Sequence, residues 1–172
     1  MREETAEECS FEPRSSGAWA KEKLEILRCY STGFAAATKR AGSGCFVDGF
    51  AGPGYNLIRS TGGVVEGSPL IALQAGFGRI FLIEKDPSVA DSLRQMITGL
   101  GEVAEVITGD ANQEVIRCLE RIDSWVPPLV FLDPTGLQLE WNTLRDISCG
   151  RRGRVLVRQR HSAIVCILNW TL

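Results

Sequence analysis

The sequence predicts an α/β fold with a mostly parallel, Rossmann-like sheet and helices on both of its faces. Short apolar runs alternate with helical segments of about 10 to 15 residues, which is the order expected of β-α-β units. A glycine-rich loop follows the first run, and four runs end at or next to an acidic residue: Asp48, Glu84, Asp110 and Asp133. Ligands of open parallel sheets lie at the carboxyl ends of the strands, so we expect these carboxylates to converge on one crevice.

The composition indicates a single domain, because the 172 residues are 44% hydrophobic and can build one sizeable core. We divide the chain into a flexible leader at residues 1–15, a Rossmann-like domain at 16–148 and a divergent tail at 149–172. The formal net charge of -2 gives no global attraction to nucleic acid or anionic lipid. Such a partner would therefore need a local charged patch.

Cysteine usage and hydropathy bear on metals and on the compartment. The six cysteines form no C-x-x-C pair and the chain has one histidine, so we expect no metal site. We find no signal peptide, and no apolar run approaches the roughly 20 residues of a membrane span. These patterns predict a cytoplasmic protein with no membrane partner.

The first half of the chain predicts a helix, a strand, a loop and a second helix. After the polar leader, Ser16 is expected to cap a helix beginning at Ala18, where apolar residues recur at three- and four-residue spacing. The apolar run 45–47 is expected to form a buried strand. A glycine-rich loop then leads to Ser68, the expected N-cap of a helix that extends to about Ala75.

The second half repeats the alternation of strand and helix. Residues 80–83 form a continuous apolar run, which is typical of a strand buried on both faces of a parallel sheet. Pro87 is expected to open a helix. A strand at 103–108, a helix at about 112–122 and a strand at 128–132 follow.

The glycine-rich loop after the first strand indicates a cofactor site. Its glycines lack a Cβ, so the backbone can turn sharply and approach a ligand closely. The acid that opens the loop would repel a pyrophosphate and attract the ammonium group of S-adenosyl-L-methionine, which favours this cofactor over a dinucleotide. The alternative is an ordinary glycine turn. The predicted cofactor-binding residues of the loop are Asp48, Gly49, Phe50, Ala51, Gly52 and Gly54.

Two later acidic positions complete the predicted cofactor site. Glu84 follows the second strand, where a carboxylate can accept hydrogen bonds from both hydroxyls of a ribose; the alternative is a solvated turn. Asp110, Ala111 and Asn112 follow the third strand and are expected to face adenine. The alternative for this segment is a simple helix cap.

The turn after the fourth strand is the predicted catalytic position. Asp133 and Pro134 agree with the first two residues of the D/N-P-P-aromatic turn of amino-group methyltransferases, whereas Thr135 and Gly136 depart from it. We expect Asp133 to orient a nucleophile or to accept its proton. Trp141 is expected to cover the core, and stacking on a planar substrate is the alternative.

Several motifs in this order resemble the three-Cys-motif partner family, bacterial methyltransferase-like proteins encoded beside a radical-SAM-type protein. The resemblance covers residues from about 19 to 141. It implies a class I methyltransferase-type Rossmann fold, a site for S-adenosyl-L-methionine and a radical-SAM-type partner. It rests on Trp19, Lys23-Leu24, Tyr30, 47–54, 66–70, 81–84, 109–112 and 131–134.

The resemblance fades after Ile147, so we expect a sheet that is incomplete at its C-terminus. Our leading hypothesis is a methyltransferase that transfers the cofactor's methyl group to an unidentified acceptor by in-line displacement, largely through proximity and alignment. The first alternative is a non-catalytic or empty Rossmann module that serves as a partner subunit. The second is a nucleic-acid-binding tail, for which the candidate residues are Arg151, Arg152, Arg154, Arg158 and Arg160.

Overall fold

The structure is a computed structural model, which describes residues 13–17, 19–99, 103–134, 136, 138–150, 154–158 and 164–168. Most of the predicted leader, Thr135, and Arg151, Arg152 and Arg160 of the predicted basic tail lie outside the described residues. A 3-10 helix at Lys39–Ala41 precedes the second strand. In chain order the other elements are β1 (Arg14–Ser16), α1 (Trp19–Ala37), β2 (Cys45–Asp48), β3 (Tyr55–Ile58), β4 (Val64–Glu66), α2 (Ser68–Ala75), β5 (Arg79–Glu84), α3 (Pro87–Ile97), β6 (Ala104–Thr108), α4 (Ala111–Glu120), β7 (Pro128–Leu132), α5 (Trp141–Gly150), β8 (Arg154–Arg158) and β9 (Ile164–Leu168).

The central sheet has the strand order β6-β5-β2-β7-β8-β9. All neighbouring strands are parallel except β8 and β9, which are antiparallel. The predicted mostly parallel α/β fold is therefore confirmed. Its first four strands are the four apolar runs of the sequence, and β8 and β9 extend the sheet on the β7 side.

Alternating side chains of the buried strands form two hydrophobic layers, one on each face of the sheet. Phe46 packs in one layer with residues of α1, α2 and α3, whereas Val47 packs in the other with residues of α4 and α5. This follows from the two-residue period of a strand, which sends successive side chains to opposite faces. Helices therefore cover both faces, as the sequence predicts.

A second sheet, with the order β1-β3-β4, replaces the loop that we expected before α2. β3 and β4 form an antiparallel hairpin, and β1 pairs with β3 in parallel. Leu57-Ile58 and Val64-Val65 favour strands, and the turn between them contains Gly62 at a φ of 70°. The expectation of a loop rich in glycine and polar residues up to Gly67 was wrong, because the intervening glycines form a turn between two short apolar runs.

This small sheet also changes the role of the residues before α1. Ser16 was expected to cap the helix, but it lies in β1, and its hydroxyl donates a hydrogen bond of 2.9 Å to Asn56 Oδ1. The helix begins at Trp19. Arg14 and Ser15, which we assigned to the leader, belong to the same strand.

Trp141 does not cover the core, and that expectation was wrong. Its side chain is 77% exposed at the start of α5. Among residues 141–148 of this helix, whose burial is described, Thr143 and Ile147 are buried, four positions apart and therefore on one face. Each residue advances about 100° around a helix, so position 141 lies away from that face.

No helix in the described part of the chain is long and apolar enough to cross a membrane.

We expect Phe46→Ala to lower the free energy of unfolding by about 3–5 kcal/mol, because it leaves a cavity between two packed aromatic rings. Phe46 is fully buried, and its ring lies 5.2 Å from that of Phe77 and 6.4 Å from that of Phe131. Ile26→Ala is the control, since Ile26 is 48% exposed on α1. Urea unfolding of both variants tests this; equal losses would contradict the assignment of Phe46 to the core.

Candidate functional site

The candidate site lies at the carboxyl ends of the parallel strands, where the strand order changes direction beside β2. The chain passes from β2 to β5 and β6 on one side and to β7 on the other. Such a switch point leaves a crevice in which ligands bind. A cleft of about 720 Å³ opens there, within the range of about 300–1,000 Å³ for small-molecule sites.

Some of the predicted cofactor residues line this cleft, and others do not. The lining residues are Gly49, Phe50, Gly52, Glu84, Asp110 and Ala111. Those outside the lining are Asp48, Ala51, Gly54 and Asn112, together with the predicted catalytic residues Asp133 and Pro134. The structure therefore brings together residues from the ends of three strands, and the binding roles assigned to them stay predictions.

The glycine-rich loop is attached to the strands on both sides of β2. The Gly49 amide donates to the carbonyl of Phe131 in β7 at 3.0 Å, and the Ala51 amide donates to the carbonyl of Ile83 in β5 at 2.9 Å. Gly52 has a φ of 65°, a left-handed conformation that favours glycine. These attachments hold the loop backbone against the cleft.

Glu84 connects the glycine-rich loop to the carboxyl end of β5. Its Oε2 accepts a hydrogen bond of 2.9 Å from the Gly52 amide, and its Oε1 accepts one of 2.9 Å from the Asp86 amide. A carboxylate oxygen has two lone pairs, so each oxygen can accept a further hydrogen bond from a ligand. Glu84 can therefore hold the loop and bind hydroxyl groups at the same time.

Asp110 combines a helix-capping role with an ion pair. Its Oδ1 accepts from the Asn112 amide at the start of α4, at 2.9 Å, and its Oδ2 lies 2.8 Å from Lys85 Nζ. The hydrogen bond from Lys85, followed by that from the Asn112 amide, lowers the pKa of the Asp110 carboxyl. Asp110 therefore caps α4 and also lines the cleft.

The Asn112 side chain joins α4 to the segment that precedes α5. Its Nδ2 donates to Asp110 Oδ1 at 3.0 Å and to the Gln138 carbonyl at 2.8 Å. Its Oδ1 accepts from the Glu140 amide at 2.9 Å and from the Thr143 hydroxyl at 2.8 Å. These four bonds give the amide a structural role at the edge of the cleft.

Asp48 lies beneath the loop and is fully buried. Its Oδ1 accepts from the Phe50 amide at 3.0 Å, whereas no hydrogen bond reaches its Oδ2. Burial raises the pKa of Asp48 to about 7 because it disfavours the charged form; the Asp133 charge adds to the rise. The nearby Ser68 hydroxyl, the Phe50 amide and Lys23 oppose it, although the Ser68 hydroxyl makes no well-formed hydrogen bond to Oδ2.

Asp133 forms an ion pair with Lys23 of α1, which the sequence analysis did not assign to the site. The two side chains are only 17% and 11% exposed, respectively. Lys23 Nζ also lies 5.3 Å from the centre of the Trp19 ring. Lys23 could have been identified from the sequence, because it lies within an otherwise apolar helical stripe. A buried charge on such a face requires a partner of opposite charge.

Other cleft residues were also missed, because they belong neither to the glycine-rich loop nor to the acidic positions at the strand ends. Arg14 comes from β1, Ser88 and Gln95 come from α3, and Gln138 precedes α5. Within the described residues, no group of three or more His, Cys, Asp and Glu side chains is arranged to hold a metal ion.

No protein-family model and no curated protein matches the chain. Solved structures share its fold. The "putative methyltransferase yhhF" from Escherichia coli has a TM-score of 0.51 and 19% identity, over 77% of this chain and 66% of that protein. This chain thus spans just under two thirds of that protein's length. A "putative methylase" from Haemophilus influenzae has a TM-score of 0.50 and 21% identity, over 85% and 84% of the two chains.

At these identities the similarity shows the fold alone. The shared architecture is the Rossmann-like fold of methyltransferases, as the sequence predicts.

We expect the contribution of Asp48 to stability to fall as the pH rises from 3.8 to about 7, because Asp48 has a higher pKa in the folded state than in the unfolded state. The folded protein binds the proton more tightly, so deprotonation in this window favours unfolding. Asp48→Asn carries no titrating group there, so its unfolding free energy relative to that of the wild type should rise with pH across this window. The exposed Asp123→Asn is the control; parallel profiles for Asp48→Asn and the wild type would exclude the shift.

We expect Asn112→Ala to lower the free energy of unfolding by about 1–3 kcal/mol, since it leaves partners in the 138–143 segment without their hydrogen bonds. Asn142→Ala is the control because Asn142 is exposed on the adjoining helix. Thermal unfolding of the two variants measures the difference. A loss no larger than that of the control would show that Asn112 does not hold this segment.

Proposed function

We propose that the chain is a methyltransferase that binds S-adenosyl-L-methionine in this cleft and transfers its methyl group to a nucleophilic acceptor. The observation that carries this proposal is the Glu84 carboxylate, which lines the cleft and is hydrogen-bonded to the glycine-rich loop through the Gly52 amide. We propose that this carboxylate accepts hydrogen bonds from the two ribose hydroxyls, beside loop backbone that the ligand can approach closely.

The residues of the cleft fit this cofactor in size and in chemistry. The volume of about 720 Å³ accommodates a molecule of this size, and Glu84 retains lone pairs for hydroxyl groups. Gly49, Phe50 and Gly52 would contact the methionine part, and Asp110 with Ala111 would face adenine. When bound, the cofactor supplies an electrophilic methyl group on a sulfonium.

Asp133 is the residue that we propose to act on the acceptor. The carboxylate follows β7, next to β2 in the sheet, and the Lys23 ammonium group holds it in place. It would accept a hydrogen bond from the N–H or O–H of the nucleophile and orient its lone pair, the arrangement that general base catalysis requires. Pro134 restricts the backbone directly after it.

The motif resemblance leads us to propose membership of the three-Cys-motif partner family and a radical-SAM-type partner. The order of the motifs along the chain supports this proposal. The methyltransferase-type neighbours do not favour the alternative of a non-catalytic module. The proposed activity is therefore methyl transfer by this chain.

We expect the purified chain to bind S-adenosyl-L-methionine and S-adenosylhomocysteine but not NAD, as measured by calorimetric titration. Glu84→Gln should weaken binding of both adenosyl ligands about tenfold or more, since it replaces charge-assisted hydrogen bonds to the ribose by neutral ones. Glu120→Gln is the matched control, because Glu120 is exposed at the end of α4.

Two outcomes would overturn the proposed function. A folded wild-type protein that binds neither adenosyl ligand has no site for this cofactor. Binding that Glu84→Gln leaves unchanged would place the ligand elsewhere, provided that circular dichroism shows the same fold for both proteins.

A further inference from the structure

Arg14 is the charged residue that the small sheet brings to the cofactor cleft. Its strand, β1, pairs with β3 in parallel, with Arg14 opposite Asn56. A Cβ placed on Gly52 would lie 3.8 Å from Arg14 Nη1 and 3.9 Å from Arg14 Cδ. The guanidinium group therefore lies beside the glycine-rich loop, at the wall of the cleft.

The charges around the cleft divide into two groups. Among the described lining residues, the charged side chains are Arg14, Glu84, Lys85 and Asp110. Lys85 forms an ion pair with Asp110, which follows β6 on the side of the cleft proposed for adenine. None of the described carboxylates forms an ion pair with Arg14. One cation at the glycine-rich loop is thus available to a ligand.

The proposed cofactor carries one anionic group, the α-carboxylate of its methionine part, and two cationic groups, the ammonium and the sulfonium. The acidic residues of the site suit the cations, but the carboxylate requires a donor of opposite charge. Guanidinium groups bind carboxylates through two parallel hydrogen bonds, which adds both affinity and geometric selectivity. Arg14 has this chemistry at the loop that is proposed to hold the methionine part.

We propose that Arg14 binds the α-carboxylate of the cofactor and thereby selects ligands that retain the amino-acid part. This inference rests on the proposed function, because it assumes that the adenosyl ligand occupies the cleft. It gives β1 a binding role that the polar composition of the N-terminal residues did not indicate. The hydrogen bond between Ser16 and Asn56 holds the strand that carries this arginine.

The test compares two ligands that differ only in the carboxylate: S-adenosylhomocysteine and its decarboxylated analogue, S-adenosyl-3-thiopropylamine. Calorimetric titration gives the dissociation constant of each for the wild type, Arg14→Gln and Arg14→Lys. Arg59→Gln is the control, because Arg59 is exposed directly after β3 and does not line the cleft.

We expect the wild type and Arg59→Gln to bind S-adenosylhomocysteine about ten- to a hundredfold more tightly than the amine. In Arg14→Gln this ratio should fall to near one, through weaker binding of S-adenosylhomocysteine alone. Arg14→Lys should retain an intermediate ratio, since an ammonium group keeps the charge but not the paired geometry.

Three outcomes would overturn the proposal. If Arg14→Gln kept the affinity ratio of the wild type, donors other than Arg14, such as the loop amides, would bind the carboxylate. An equal loss of affinity for both ligands would show that Arg14 only supports the fold of the loop. A wild type that binds neither ligand would refute the proposed function, and this inference with it.

Discussion

The candidate site depends on the parallel pairing of β2 with β5 on one side and β7 on the other. This pairing brings three strand ends to one edge of the sheet, and the two backbone hydrogen bonds from Gly49 and Ala51 then hold the glycine-rich loop between the neighbouring strands. Glu84 adds a side-chain bond to the same loop. The loop is therefore positioned by the sheet itself, and any shift of β5 or β7 would move the loop backbone that lines the cleft.

The acidic side chains near the loop differ mainly in their exposure to solvent. Asp48 is fully buried, and this raises its pKa to about 7, whereas Asp110 keeps contact with solvent and has a lowered pKa. Asp133 is partly buried, and Lys23 is its ion-pair partner. Asp48 and Asp110 thus have opposite pKa shifts, because burial dominates at Asp48 whereas the hydrogen bond from Lys85 dominates at Asp110.

The strands and their order of appearance were predictable, because buried parallel strands are continuous apolar runs and the residues that end them are polar. The positions of Glu84, Gly49 and Gly52 at the cleft were predictable for the same reason. Lys23, Arg14 and the bonds of Asn112 were not, since each depends on a contact between elements far apart in the chain. Trp141 was misjudged because its hydrophobicity does not reveal on which side of α5 it lies.

The small sheet has a consequence for the order in which the molecule folds. Ser16 and Asn56 are 40 residues apart, whereas the β3–β4 hairpin joins close neighbours in the chain. Closing a short loop costs less chain entropy than closing a long one, so the hairpin can form first and serve as the template for β1. The wall of the cleft that contains Arg14 is then completed only after the hairpin on which β1 pairs has formed.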